Sequence, residues 1–267
     1  ENTLFIFTSD NGAEGSGPAD PGNFMTQRQL GSLGYVSDYD TLGLKGSFNS
    51  ISPSFASAAV SPLAYYKFYS GEGGMRVPMI VAGASLPRHG VLSDAFSFVT
   101  DITPTILSLV GVDPPQGRHG GKPVEAIIGR DLSPVLRGNA ERVYGETDAV
   151  GYELAGNAAL FQGDYKLVFN RDPLGDARWH LFNIKIDPGE TRDLSAELPA
   201  RLQTMLGAYE QYVADNNVLS MPVGYDHLKQ AALNMLGKGL REPLIIALLT
   251  LLMLLPFYVA YRMKLGG

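Results

Sequence analysis

An apolar run near the carboxyl end constrains the fold of this chain more than any other feature. The run begins at Leu244 and ends at Tyr261, and its only mild exceptions are Thr250, Pro256 and two tyrosines. A helix needs roughly 17 to 25 apolar residues to cross a bilayer, and this run is long enough. The run therefore predicts a C-terminal transmembrane helix at residues 243–262, with a buried core helix as the alternative.

The residues at the end of this run indicate an orientation. Tyr258 and Tyr261 lie where aromatic residues collect at membrane interfaces, and Arg262 and Lys264 follow directly. Because cytoplasmic segments carry an excess of Lys and Arg, we expect a membrane-anchored protein with a cytoplasmic C-terminus. The globular part is then expected to be periplasmic or otherwise extracytoplasmic.

Charge and cysteine content exclude several kinds of partner and site. The 267 residues carry a formal net charge of -6, so there is no basic surplus, and no nucleic acid is expected as a partner. The sequence contains no cysteine, which removes disulfides, thiolate metal sites and a cysteine nucleophile. Hydrophobic residues make up 45% of the chain, which is enough for a large packed core.

The first part of the chain has the pattern of an α/β layer. Residues 3–7 and 77–82 are short apolar runs of the kind found in buried parallel strands. Residues 15–62 are rich in Gly, Ser, Asp and Pro and predict a long irregular loop. A helix is predicted with Thr103 as its N-cap and Pro104 at its first position.

The second part has the pattern of a small antiparallel sheet covered by one helix. Short strands are predicted at residues 142–146, 158–162, 165–170 and 179–183. Gly163 and Asp164 have the composition of a hairpin turn between the middle two strands. Residues 198–213 have helical spacing of apolar residues, and a short amphipathic helix is possible at residues 226–236.

These elements predict an α/β fold class. Part of a mixed, mostly parallel sheet with flanking helices comes first. A small antiparallel sheet packed with one helix follows it. A C-terminal transmembrane helix completes the chain. We divide the sequence into four regions on this basis. They are the α/β region at residues 1–125, the antiparallel-sheet subdomain at 126–216, a linker at 217–242 and the membrane helix at 243–262.

Two neighbouring residues at the end of the first strand could bind a metal ion. Asp10 and Asn11 offer hard oxygen donors, which suit Ca²⁺ or Mg²⁺. The carboxyl edge of strands in open α/β sheets is also where ligands bind. The alternative is an ordinary Asp-Asn-Gly turn, since Asn and Gly tolerate left-handed backbone geometry.

A second group of residues could bind an anion. Lys67 precedes a turn formed by Glu72, Gly73 and Gly74, and Arg76 follows that turn. A lysine ammonium aimed at the same sheet edge would neutralise a bound anion and the charge that develops on it. The alternative is a surface lysine, and we expect Arg76 to pair with Glu72 in a structural role in either case.

The order and spacing of these motifs resemble the later part of a type I sulfatase of the arylsulfatase kind, in the alkaline-phosphatase-like superfamily. The resemblance rests on five segments: Ser-Asp-Asn-Gly-Ala at residues 9–13, Lys67 with Glu-Gly-Gly-Met-Arg-Val-Pro at 72–78, Val-Thr-Asp-Ile-Thr-Pro at 99–104, Gly-Arg-Asp-Leu-Ser-Pro-Val-Leu at 129–136, and Asp-Pro-Gly-Glu-Thr-Arg-Asp-Leu at 187–194. It covers about residues 3–235, so the apolar run lies outside it.

This resemblance implies hydrolysis of a small sulfate ester by a metal-dependent formylglycine enzyme. It implies that Asp10 and Asn11 are ligands of one divalent cation, Ca²⁺ rather than Mg²⁺, and that Lys67 is a substrate-binding and catalytic residue that contacts the sulfate. The family forms its formylglycine in a Cys/Ser-x-Pro-x-Arg motif, which this sequence lacks. We therefore expect the nucleophile upstream of residue 1, and no turnover by this chain alone.

Two other functions remain open from the sequence. Phosphonate and phosphate ester hydrolases of the same superfamily share the Asp-Asn metal pair, and a non-catalytic membrane-anchored binding module could keep the same fold. The four histidines do not decide between these functions, because none has the spacing of a metal ligand. We expect solvated or packing roles for His89, His119, His180 and His227.

Overall fold

The computed structural model describes residues 3–15, 28, 30–48, 50–83, 86, 87, 89–172, 174–222 and 224–265. The chain divides into two compact units, Glu1–Val218 and Leu219–Gly267. Helices and strands are mixed in the first unit, and its sheets are small and antiparallel. The predicted boundary between residues 125 and 126 stays a prediction.

The first two strands form an antiparallel pair. Strand β1 (Leu4–Thr8) pairs with β2 (Met79–Gly83), with Ile6 opposite Val81. The prediction that these are buried parallel strands is wrong for this pair. An apolar run fits either strand direction, and the long connection between β1 and β2 leaves the direction open. Burial alternates along β1, so that Phe5 and Phe7 are 66% and 67% exposed.

The connection between β1 and β2 is not irregular throughout. It contains helix α1 (Ser52–Val60), in which Pro53 occupies the first turn and Ala56 is fully buried. A 3-10 turn at Tyr39–Thr41 and one bridge between Val36 and Ser47 also lie in it. The prediction of a wholly irregular loop is therefore wrong, and residues 16–27 of that predicted loop lie outside the described residues.

The predicted helix around residue 104 is confirmed, but it begins earlier. A short helix α2 (Glu72–Met75) precedes β2, and helix α3 (Ile102–Val110) follows a 3-10 turn at Val99–Asp101. The fully buried Asp101 carboxylate accepts hydrogen bonds from the backbone N–H groups of Phe98 and Arg130, both at 2.7 Å. These bonds fix the start of α3 near Asp101, before the predicted cap.

A four-stranded antiparallel sheet forms the second half of the first unit. Its strands are β5 (Ala149–Leu154), β6 (Asn157–Gln162), β7 (Tyr165–Phe169) and β8 (Trp179–Asn183), in that order across the sheet. A two-stranded hairpin of β3 (Arg118–His119) and β4 (Lys122–Pro123) and a short helix α4 (Ser133–Leu136) come before it. The predicted small antiparallel sheet is confirmed, and so is the hairpin turn at Gly163, whose φ is 58°.

One predicted strand of this sheet is wrong. Residues 142–146 form turns, where the Gly145 N–H donates to the Asp148 carboxylate at 2.6 Å. The ion pair between Arg142 and Glu146 also links residues four apart, as in a turn. The first strand of this sheet is β5, which begins three residues after the end of the predicted strand. It was not predicted from the sequence.

The sheet is buried on both faces. Helix α5 (Pro199–Asp215) covers one face and places Met205 against Leu160, Leu167 and Leu181, all fully buried. The other face carries Phe161, Val168 and Phe182, and Met75, Phe96 and Phe98 from the first half of the chain pack against it. The sheet is thus the common core that joins the two halves of this unit.

The second unit contains one long helix, α6 (His227–Leu265), with Pro243 and Pro256 inside it. The short helix predicted at residues 226–236 is therefore not separate, because it continues into the apolar run. The segment Pro243–Tyr261 has a mean hydropathy of 2.4 and none of it is buried. Its 19 residues span roughly 28 Å at 1.5 Å per residue, which is close to the thickness of a bilayer core. That it crosses a membrane stays a prediction.

A buried ionic group ties helix α2 to the four-stranded sheet. The ammonium of Lys166 on β7 lies 2.9 Å from Glu72 Oε1 and 2.9 Å from Glu190 Oε1. The Lys166 side chain is 0% exposed, and those of Glu72 and Glu190 are 3% and 1% exposed. Arg76 Nε lies 2.5 Å from Glu72 Oε2, which confirms the expected pair.

The two carboxylates of this group respond differently to the same ammonium. Burial alone would raise the pKa of Glu72, but the charges of Lys166 and Arg76 outweigh it and lower that pKa. For Glu190 burial is dominant and the pKa is raised, although Lys166 opposes the rise. Glu190 Oε2 also accepts a hydrogen bond from the Glu72 N–H at 2.9 Å. The three contacts among Glu72, Lys166 and Glu190 hold the turn at Glu72 against the sheet.

Two asparagines of the sheet region hold the segment just before this turn. Asn157 Nδ2 donates to the Phe68 carbonyl at 3.1 Å, and the Ser70 N–H donates to Asn170 Oδ1 at 2.9 Å. Residues 68–72 are therefore positioned by side chains that lie much later in the sequence.

Replacement of the buried lysine should destabilise the first unit strongly. In Lys166→Met, the carboxylates of Glu72 and Glu190 lose their shared cation, so we expect the free energy of unfolding to fall by about 3–5 kcal/mol. The single tryptophan, Trp179 on β8, reports urea unfolding of this sheet by its fluorescence.

Lys185→Met is the matched control, because Lys185 is exposed and pairs with Asp94 at 3.5 Å on the surface. We expect this change to cost less than about 1 kcal/mol. Equal stabilities of the two variants would contradict a structural role for the buried group.

Candidate functional site

The structure brings the turn after β1 against the segment that contains Lys67. The Gly12 N–H donates to the Gly74 carbonyl at 2.9 Å, and the Lys67 N–H donates to the Ala13 carbonyl at 3.0 Å. The predicted metal ligands Asp10 and Asn11 and the predicted anion ligand Lys67 thus belong to two backbone segments in direct contact.

Glycine is required where these segments touch. A Cβ atom on Gly12 would lie 1.8 Å from the carbonyl oxygen of Gly73, a distance at which atoms overlap. A Cβ atom on Gly73 would in turn lie 2.3 Å from the Tyr65 carbonyl oxygen. A larger residue at position 12 would push the Asp10 turn away from Gly73, and one at position 73 would push the α2 turn away from Tyr65.

The backbone around Lys67 is strained. Tyr65 and Phe68 have φ angles of 65° and 89°, a region that residues other than glycine rarely adopt. Such residues cost roughly 1–3 kcal/mol each and collect at functional sites. Here the hydrogen bonds to Ala13 and from Asn157 hold the segment in that conformation.

The Lys67 ammonium is paired with an acidic residue that sequence reasoning missed. Its Nζ lies 2.6 Å from Glu14 Oε2, and the two side chains are 42% and 44% exposed. The hydrogen bond that the Lys67 ammonium donates to Glu14 raises the pKa of Lys67 against the effect of burial, and the negative charge of Asp10 adds to the rise. Lys67 is therefore a protonated cation within electrostatic range of Asp10.

Asp10 and Asn11 present side-chain oxygen donors on the turn after β1. Within the described part of the chain, neither side chain makes a hydrogen bond, and the Asp10 side chain is exposed. Their carboxylate and amide oxygens fit a hard divalent cation. No group of three or more His, Asp or Glu side chains that could hold a metal occurs among the described residues, so these two donors fit only part of a coordination shell.

The residues that position Lys67 were also missed. Lys166 carries the clearest signal, because it is the one charged residue of a strand whose three central residues are all buried. Its partners Glu72 and Glu190 are far apart in the sequence, which is why spacing alone does not reveal the group. Asn157 and Asn170 carry no such signal.

The four histidines, for which solvated or packing roles are predicted, have different surroundings as far as they are described. His89 and His119 are exposed. His180 lies between two carboxylates, with Nδ1 2.8 Å from Asp193 Oδ2 and Nε2 3.0 Å from Asp176 Oδ1. His227 lies at the start of α6, and its side chain is outside the described residues.

Known proteins with similar sequences are sulfatases. The model of the Sulfatase family matches residues 1–112. An uncharacterized sulfatase of Schizosaccharomyces pombe is 31% identical over 223 residues, which are 83% of this chain and 40% of that protein. The arylsulfatase of Klebsiella aerogenes is 33% identical over 136 residues, which are 51% of this chain and 28% of that protein. The chain thus spans less than half of the length of either relative.

Solved structures of similar fold agree with these sequence matches. The match to the crystal structure of Ps i-CgsB in complex with k-i-k-neocarrahexaose covers 86% of this chain and 40% of the Ps i-CgsB chain. Its TM-score is 0.54 and the sequence identity is 22%. The match to the crystal structure of Ps i-CgsB by itself covers 80% of this chain and 37% of the Ps i-CgsB chain. Its TM-score is 0.51 and the sequence identity is 24%. At these identities the likeness establishes the fold alone. Together, the sequence and fold matches support a type I sulfatase-like protein with an alkaline-phosphatase-like fold.

Proposed function

We propose that this chain supplies the metal-binding and sulfate-binding part of a sulfuric ester hydrolase. Its sulfatase relatives support sulfate ester hydrolysis at the level of the family. The observation that carries the proposal is the contact between the Asp10 turn and the Lys67 segment. Two oxygen donors and one cation lie on segments that glycine packing holds together.

Asp10 and Asn11 are the residues that would hold one divalent cation. We favour Ca²⁺ over Mg²⁺ because the two donors lie on an exposed turn, and Ca²⁺ accepts irregular shells of about six to eight oxygens. Further ligands and a sulfate oxygen would complete the shell. A cation bound there would withdraw negative charge from the sulfate.

Lys67 would bind the sulfate through its ammonium group. Its ammonium stays charged because Glu14 and Asp10 raise its pKa. We propose that a sulfate that enters takes the place of Glu14 as the partner of Nζ, which lies 2.6 Å from Glu14 Oε2. Once bound, the ammonium donates hydrogen bonds to the sulfate oxygens, where negative charge increases as the ester bond breaks.

The nucleophile must come from a segment other than these 267 residues. The family nucleophile is a formylglycine, and its hydrate attacks the sulfur atom. The present sequence contains no Cys/Ser-x-Pro-x-Arg motif. We therefore assign binding and charge neutralisation to this chain, and bond cleavage to the native protein as a whole.

The substrate we propose is a small sulfate ester. One relative is an arylsulfatase, and one protein of similar fold binds a neocarrahexaose. We further propose that α6 anchors the protein in a membrane with a cytoplasmic C-terminus, because Arg262 and Lys264 directly follow the apolar segment.

Removal of the Lys67 ammonium should impair sulfate ester hydrolysis by the native protein. With an aryl sulfate as substrate, we expect Lys67→Ala to lower kcat/KM by about 10²–10³-fold, the usual effect of losing one stabilising donor. The exposed Lys122 on β4 provides the control, and Lys122→Ala should leave kcat/KM unchanged.

An aryl phosphate should be a poorer substrate than the aryl sulfate in the same assay. Equal activity of the Lys67→Ala and Lys122→Ala variants would contradict the role of Lys67. A clear preference for the phosphate ester would contradict the proposed substrate.

The 267-residue chain by itself should bind but not turn over substrate. Because it lacks the nucleophile motif, we expect no release of product from an aryl sulfate above the buffer rate. Robust turnover by the purified chain would disprove the assignment of bond cleavage to another segment.

The apolar segment should hold the chain in a membrane. After expression in bacteria, we expect the full chain to remain in the membrane fraction after alkaline carbonate extraction. Truncation after Val218, the end of the first unit, should release it. A chain that is extracted with Pro243–Tyr261 intact would contradict the anchor.

A further inference from the structure

The imidazole ring of His180 joins two loops to the edge strand of the four-stranded sheet. His180 lies on β8, Asp176 belongs to the connection between β7 and β8, and Asp193 follows β8. Nδ1 of the ring is 2.8 Å from Asp193 Oδ2. Nε2 is 3.0 and 3.1 Å from the two carboxylate oxygens of Asp176. Each ring nitrogen therefore faces a carboxylate from a different loop.

Only the positively charged ring can bond to both carboxylates at once. An ionised carboxylate accepts hydrogen bonds but cannot donate them, and a neutral imidazole ring carries a single N–H group. Burial would raise the pKa of Asp193, but hydrogen bonds from Ser195 and His180 lower it to about 2, so this carboxylate is ionised at neutral pH. Burial lowers the pKa of His180, but its bonds to the two carboxylates outweigh burial and raise that pKa above the ordinary histidine value.

The other ionisable groups around the ring are paired or uncharged, as far as the structure describes them. Glu190 and Tyr65 line the same cavity as His180. Glu190 lies 2.9 Å from the ammonium of Lys166 on β7, and burial raises the pKa of Tyr65, which therefore stays neutral. The ring of Phe182 stacks on the imidazole with 6.2 Å between the centroids and carries no charge. The two carboxylates that touch the ring thus dominate its affinity for a proton.

These two carboxylates depend on the ring to different degrees. Oδ1 of Asp193 also accepts from the N–H and the hydroxyl of Ser195, at 2.9 and 2.5 Å. Asp176 accepts in addition only from the Arg178 N–H, at 3.1 Å within the same connection. A neutral ring that keeps its Nδ1–H bonded to Asp193 presents the Nε2 lone pair to Asp176, and two acceptors do not bond to each other. Loss of the proton therefore breaks the contact with Asp176.

We propose that His180 is a pH-sensitive clamp on the connection between β7 and β8, of which residues 170–172 and 174–178 are described. The charged ring fastens Asp176 to β8, and loss of the Nε2 proton to solvent releases it. Asp176 lies in the wall of a cavity of about 140 Å³, so the release opens one side of that cavity. The clamp needs neither the metal ligands nor Lys67 and goes beyond the proposed sulfate chemistry.

The sign of the pH dependence follows from the raised pKa of His180. A folded protein that binds a proton more tightly than the unfolded chain loses stability as the pH rises. The contribution of the clamp is complete below about pH 6.5, the ordinary histidine value, and is lost as the pH rises through the folded pKa. The connection should accordingly be closed near pH 6 and open in mildly alkaline solution.

Histidine NMR of the full 267-residue chain in detergent measures the clamp directly. In a chain labelled with ¹⁵N-histidine, the His180 signals are those that disappear in the His180→Gln variant. We expect the ring to titrate above the ordinary value of about 6.5, and its neutral form to carry the proton on Nδ1, which long-range couplings identify. Titration at or below that value would overturn the proposal, and so would a neutral form with the proton on Nε2.

Hydrogen exchange tests whether the connection is released. The Ala177 N–H donates to the Asn170 carbonyl at 2.9 Å and reports the closed connection. Between about pH 6 and about pH 9, we expect the protection of this segment, corrected for the intrinsic pH dependence of exchange, to fall about tenfold. That is the usual effect of losing one hydrogen bond to a charged group.

Two substitutions in the same connection separate the clamp from general effects of pH. Asp176→Ala removes the contact with His180, and because the Asp176 side chain is 53% exposed, the variant should fold. Its protection should be as low at about pH 6 as that of the unchanged chain at about pH 9. Asp172→Ala changes another exposed aspartate and should keep the full change in protection. An equal change with pH in both variants would overturn the proposal.

Discussion

The contact of Lys166 with Glu72 and Glu190 is the interaction on which the rest of the first unit depends. Removing three charged groups from water costs several kcal/mol for each ion, and their mutual attraction repays this only when the geometry is good. Here both carboxylates lie 2.9 Å from the same ammonium. The group therefore contributes more to the position of the α2 turn than to net stability, because only one placement of the turn satisfies all three charges.

The position of the α2 turn determines the geometry of the candidate site. The turn fixed at Glu72 continues into Gly73 and Gly74, which touch the backbone of the Asp10 turn. On the other side, Asn157 and Asn170 hold the strained segment that contains Lys67. A small sheet near the end of the unit thus sets the distance between two oxygen donors and a cation that come from the beginning of the chain.

The parts of the fold that local pattern determines could be predicted from the sequence. Strands β6 to β8 are short apolar and aromatic runs, a Gly-Asp turn joins β6 to β7, and α5 has a clear helical period. The direction of β1 relative to β2 could not be predicted, since it depends on a long connection. Residues 142–146 were mistaken for a strand because the bonds of the Asp148 carboxylate with the Gly145 N–H and with Arg130 depend on three-dimensional proximity. Family resemblance indicated Asp10, Asn11 and Lys67, whereas Glu14 and Lys166 required three-dimensional proximity.

The central claim is that the Asp10 turn and Lys67 together bind a metal ion and a sulfate. Its most direct test is a crystal structure of the native protein grown with Ca²⁺ and a sulfate ester. We predict a cation with the oxygens of Asp10 and Asn11 at about 2.3–2.6 Å, and Lys67 Nζ in contact with the sulfate instead of Glu14. A cation bound elsewhere, with the pair between Lys67 and Glu14 intact beside bound substrate, would contradict the claim.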